Sequence, residues 1–145
     1  MKLRFVLDTN QIIAAGGKWL VDGQPTNDPN VSRRILIAVV ESHTGLYSGK
    51  IMGEYIEKLI DINHPPATVE RMMTYLMGAF QRVEIKTKVA PYPPSDKDDE
   101  IFVLCAMDGN ADYLVSDDKA VTALKPHYNG FVIGKSSEIG KLLGV

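Results

Sequence analysis

The feature that most constrains this chain is the run Leu3–Leu7, rich in β-formers, which stops abruptly at Asp8-Thr9-Asn10. A continuous apolar run of this length reads as a strand buried on both faces, as in a parallel sheet. In an open α/β sheet, ligands bind outside the carboxyl ends of the strands, and Asp8 stands at that edge. Asp, Thr and Asn also cap helices well, so a helix N-cap is an equal reading of Asp8 taken alone. A second strand that ends in carboxylates, Asp112–Ser116 followed by Asp117-Asp118, tips the balance towards a site.

Between these two edges the chain alternates helices and strands. Ile12–Ala15 begins a short helix that Gly16-Gly17 ends. Residues 18–30 hold Gly, Pro, Asn and Asp with little periodicity and read as an irregular insertion near 16–30, in which Trp19-Leu20-Val21 pack back on the body or, less commonly, face a partner. Helices are predicted over Val31–His43, about Gly49–Asn63 after a Ser48 cap, and Ala67–Gln81, the last with Met72, Met73, Leu76, Met77 and Phe80 at core spacing. Leu46-Tyr47 and Val83–Ile85 read as strands, and Thr87–Pro94 as a loop. Ser95 opens a helix to about Gly109 that is apolar all round from Ile101 to Met107. A short helix at Asp118–Leu124, a strand at Phe131–Ile133 and a helix at Ser136–Leu143 complete the chain. The alternation predicts one α/β domain over 1–145, three-layered, with a central parallel sheet of about five strands.

Composition narrows the function. Of 145 residues, 45% are hydrophobic and 23% charged, a globular balance. No apolar run approaches the roughly 20 residues that span a bilayer, and no secretory signal pattern opens the chain. A single cysteine, Cys105, leaves no internal disulfide and fits a reducing cytoplasm, the expected location. The net charge of −2 argues against a protein held on nucleic acid by bulk positive charge. His43, His64 and His127 lack metal-ligand spacing, and no phosphate-cradling Gly-rich motif occurs.

A third acidic cluster, Asp96, Asp98, Asp99 and Glu100, opens the buried helix. Acidic residues in a first turn complement the helix dipole, but four carboxylates in five residues exceed what one cap needs. Packed together they raise one another's pKa unless a cation sits among them. Hard divalent cations take oxygen ligands, and Mg²⁺ uses a few carboxylates with water and substrate phosphate.

At this point the chain resembles the PIN-domain ribonucleases, the family that includes the VapC-type toxins of toxin–antitoxin pairs. VLDTN resembles the family's first motif, with Asp8 as its first acidic residue. SGKIMGEYIEKL resembles the helix bearing the second, Glu54. SDKDDEIFVLCAMDGNADYLVSDDKAV resembles the long third block, whose register places the third acidic residue at Asp99 and the fourth at Asp118. Asp117 stands where the family has Gly. On the helical wheel Glu54 lies at the edge of the apolar stripe beside Ile51, where a solvated Glu pairing Lys58 is the plainer reading.

The resemblance implies a metal-dependent endoribonuclease, with Asp8, Glu54, Asp99 and Asp118 holding Mg²⁺ or Mn²⁺ that activates water and neutralises the developing oxyanion. Asn10, Asp96, Ser116 and Asp117 would aim those carboxylates. At the fourth strand end, capping of the next helix is expected of Asp117 and metal binding of Asp118. RNA is the implied substrate, with a homodimer and, for a toxin, a separate antitoxin chain as partners and no membrane. Two rivals stand beside this reading. An aspartyl-phosphate phosphatase needs a second Asp where the chain has Asn10; a catalytically silent PIN-like module would bind RNA or protein without cutting.

Overall fold

The computed structural model of the protein describes residues 2–22 and 29–145, with Val21 and Asp22 described by backbone alone. Residues 23–28 of the segment expected to be irregular lie outside the described residues. Among the described residues the elements are β1 (Arg4–Leu7), α1 (Thr9–Ala15), α2 (Trp19–Asp22), α3 (Val31–Ser42), β2 (Thr44–Tyr47), α4 (Gly49–Asp61), α5 (Pro66–Ala79), β3 (Gln81–Arg82), α6 (Glu100–Asp108), β4 (Tyr113–Val115), α7 (Lys119–Thr122), β5 (Val132–Gly134) and α8 (Ser136–Leu143). Two 3-10 turns, Lys97–Asp99 and Lys125–His127, precede α6 and β5.

The five strands form one sheet in the order β3-β2-β1-β4-β5, all pairs parallel, between two helical layers. The chain winds outward from β1 through β2 to β3, then returns to lay β4 on the other side of β1. The carboxyl ends of β1 and β4 therefore form the topological switch point of the sheet. Their register pairs Leu7 with Val115, and the Asp8 N–H donates to the Val115 carbonyl at 3.0 Å. Asp8 and Ser116 consequently leave the sheet side by side.

β1 is buried from Phe5 to Leu7, as a continuous apolar run demands. α6 packs directly over β1, β2 and β4, and Phe102 through Ala106 are buried along it. Cys105 is part of that packing, its thiol pushed up to about 12 by burial first and by the Asp108 charge second. Gly45 in β2 is required by close approach: a Cβ there would run into the Phe80 ring.

Some local expectations are corrected. β3 lies at Gln81–Arg82, not 83–85. Val83 still donates to the Tyr47 carbonyl at 2.7 Å, but the Lys86 and Thr87 N–H groups beyond it turn to the Asp108 carboxylate at 2.7 and 2.8 Å, away from the sheet. The helix expected from Ser95 starts at Glu100; before it the Asp96 carboxylate takes the Asp98 N–H at 3.0 Å and tightens the chain into a 3-10 turn. Met77 is exposed, unlike the rest of its stripe. Trp19 opens one helical turn and packs back on the body, buried and edge-on to Tyr75.

Candidate active site

Three chain segments deliver carboxylates to the switch point. Asp8 follows β1, Asp99 ends the 3-10 turn ahead of α6, and Asp118 follows β4. One carboxylate oxygen from each lies within 4.8 Å of the others. Asp8 and Asp99 are buried. Three carboxylates at this spacing, two of them buried, repel one another unless protonated or bridged by a cation.

Asp99 feels this most. Burial first, then the charges of Asp8, Asp118, Asp96 and Glu54, push its carboxyl up to about 7. Its Oδ2 is buried with no hydrogen-bond partner among the described residues, a costly state for a polar atom. Burial and the Asp118 charge also raise Asp8, while the Ser116 hydroxyl and the backbone N–H groups of Thr9 and Asn10 oppose the rise. A hard, all-oxygen donor set with an unpartnered buried oxygen fits a divalent cation such as Mg²⁺ or Mn²⁺.

Ser116 ties two of these strand ends together. Its hydroxyl donates to Asp8 Oδ2 at 2.6 Å and accepts the Asp118 N–H at 3.1 Å. Asp118 in turn accepts the Ala120 N–H at 2.9 Å and caps α7. This corrects the division expected between the neighbours, in which Asp117 caps. Asp117 is turned away: it accepts the Ser136 N–H and hydroxyl at 2.9 and 2.7 Å and the Gln11 amide at 3.0 Å. Although burial pushes its pKa up, these donors hold it below the usual carboxylate range. Its work is to fasten the start of α8 to α1.

Glu54 stands beside the group of three without belonging to it. Its Oε1 accepts the Thr9 hydroxyl at 3.1 Å; burial raises its pKa, the Thr9 bond lowers it, and Asp8 and Asp98 raise it again. Its hydrogen-bond partner is thus Thr9, and Lys58 acts on it only through charge. Asp96 is exposed and caps the turn that carries Asp99. Asn10 is exposed, and its side chain makes no hydrogen bond among the described residues.

Several supporting groups escape sequence reasoning. Buried Gln11 bridges Asp117 to Ser32, whose hydroxyl donates to Gln11 Oε1 at 2.9 Å. The fully buried Tyr55 donates its hydroxyl to the Leu7 carbonyl at 2.5 Å, one residue before Asp8. The only sequence hint was a polar or hydroxyl-bearing residue on an otherwise apolar stripe.

A model of the PIN domain matches residues 4–120. The chain belongs to the PIN domain family. Among solved structures, a chain of VapBC2 from Rickettsia felis, bound to a DNA fragment from their promoter, is similar to this PIN domain with a TM-score of 0.55 and 10% identity, covering 92% of this chain and 98% of that one. At that identity the likeness shows the fold. No curated protein matches. Membership supports, in general terms, a nuclease role for this PIN domain, and the three grouped aspartates are where a metal could sit. No helix among the described residues is long and apolar enough to cross a membrane.

Proposed function

We propose that the protein is a divalent-metal-dependent endoribonuclease, with Asp8, Asp99 and Asp118 as metal ligands and Glu54 beside them. The observation that carries this reading is Asp99, grouped with two further carboxylates and holding a buried Oδ2 with no hydrogen-bond partner among the described residues. A structural cluster would satisfy that atom from within the chain; a ligand set leaves it open.

When bound, Mg²⁺ or Mn²⁺ supplies Lewis-acid activation of water and charge neutralisation at a phosphodiester. The chain's own residues do the rest. Ser116 holds the Asp8 carboxylate by donating to Oδ2 and fixes the Asp118 backbone at the same time. Thr9 orients Glu54, whose raised pKa suits it to accept a proton near the reacting phosphate. Tyr55 anchors the Leu7 carbonyl, so the strand end that presents Asp8 is held by a buried bond. RNA as substrate, a homodimer, a cytoplasmic setting, and a toxin's place opposite a separate antitoxin chain are part of this proposal; it treats 1–145 as one PIN domain with an insertion near 16–30.

The test is cleavage of single-stranded RNA by purified protein with Mg²⁺ or Mn²⁺. Internal cuts that vanish in excess chelator and in Asp8→Asn are expected. Equal cutting in chelator overturns the proposal.

A further inference from the structure

A second feature lies on the same edge of the sheet. Because the strands are all parallel, the ends of β2 and β3 open in the same direction as those of β1 and β4. Beside them is a cavity of about 500 Å³ whose lining includes Lys50 on α4, Arg82 at the end of β3, and Lys86 and Lys88 just beyond, with Glu84 as its acidic member. All four cations are exposed. Among the described residues Lys50, Arg82 and Lys88 form no ion pair, and Lys86 lies near Asp108. In a chain of net charge −2, four cations against one acid is a local reversal of sign.

The cavity and the carboxylate site share α4, which lines the first with Lys50 and carries Glu54 beside the second. Lys50 and Glu54 are one turn apart on that helix, about 6 Å along its axis and on neighbouring positions of one face. A polyanion that reaches the carboxylates therefore passes cations within about a nucleotide's reach. We propose that this groove binds the sugar–phosphate backbone of the single-stranded RNA next to the bond being cut, with Lys50, Arg82 and Lys88 as the phosphate contacts. The inference rests on the nuclease reading above. It also accounts for how a chain of acidic pI holds a polyanion: a short cationic track replaces bulk positive charge. An acidic peptide would answer to the same charges, but only a nucleic-acid strand has a reason to run on into a set of carboxylates suited to a metal.

The experiment measures binding of a labelled single-stranded RNA to the full chain across a salt series. It compares wild type in chelator, the combined Lys50→Ala, Arg82→Ala and Lys88→Ala variant, the combined Lys50→Arg, Arg82→Lys and Lys88→Arg variant, and Lys141→Ala on α8 as a control outside the groove. Melting curves confirm that each is folded. Loss of three phosphate contacts lowers the slope of log K against log salt by about 2, and affinity at about 0.1 M salt by roughly tenfold or more, in the alanine variant. The charge-preserving variant and Lys141→Ala should bind like wild type. If wild type cuts RNA with Mn²⁺ but the alanine variant keeps the wild-type slope and affinity, the groove proposal is overturned while the nuclease reading stands. If wild type neither binds nor cuts RNA, the nuclease reading itself fails. Tighter binding of a polyglutamate peptide than of RNA, lost in the alanine variant, would assign the groove to an acidic protein and overturn it as well.

Discussion

The Ser116 hydroxyl lies 2.6 Å from Asp8 Oδ2, joining the ends of two neighbouring strands that are 108 residues apart in sequence. This bond aims Asp8 and, through the Asp118 N–H, sets the next carboxylate as well. Ser116→Ala should therefore lower metal affinity by about 10–100-fold, the usual effect of losing a group that orients a ligand. Mn²⁺ titration checks it; Ser116→Thr, which keeps the hydroxyl, should restore most of the affinity.

The Asp99 carboxyl titrates at about 7 in the folded protein against an ordinary value of 3.8. The folded state therefore holds this proton more tightly than the unfolded state does. The metal-free protein should lose stability as pH rises from about 4 through about 7. Asp99→Asn should raise the melting temperature of the metal-free protein at about pH 8 and have little effect at about pH 4. Metal binding to wild type should weaken as pH falls below about 7, because protons compete for the same oxygens. A melting temperature lowered by several degrees in metal-free Asp99→Asn at about pH 8 would make Asp99 a structural residue.

Asp117 and Asp118 are neighbours with different work. Asp117→Ala removes three charge-assisted bonds to Ser136 and Gln11. It should cost about 2–3 kcal/mol of stability, with cleavage retained below the melting point. Asp118→Ala should abolish cleavage and lose about 1 kcal/mol through the α7 cap. Melting curves and cleavage rates for the pair decide the assignment. An inactive but stable Asp117→Ala would reverse it.

Tyr55→Phe tests the support beneath the site. It leaves the Leu7 carbonyl without its side-chain donor. The expected loss is about 1–3 kcal/mol of stability, read in denaturant melts. No loss would mean that water replaces the hydroxyl at that position.

The sheet was legible because Phe5–Leu7 and Tyr113–Val115 are apolar runs that alternate with helical patterns, and because α6, apolar all round, has to be buried. Asp8 and Asp118 were legible as strand-end carboxylates, and Asp99 through its motif. What the sequence hid is non-local. Thr9 meets Glu54 from 45 residues away, and Gln11 meets Asp117 from 106; neither spacing has a period. The helix cap at Asp118 was hidden for a related reason. Either neighbour could cap, and the choice is made by Ser136, which reaches Asp117 only once β5 is in place.

The role proposed for the carboxylate group is that of a metal site at which RNA is cut. End-labelled single-stranded RNA incubated with wild type and with Asp99→Asn while Mn²⁺ is titrated tests it most directly. Internal cuts by wild type should rise with Mn²⁺ and saturate, and a folded Asp99→Asn should make none. Cuts of equal rate by both proteins, independent of Mn²⁺, would contradict it.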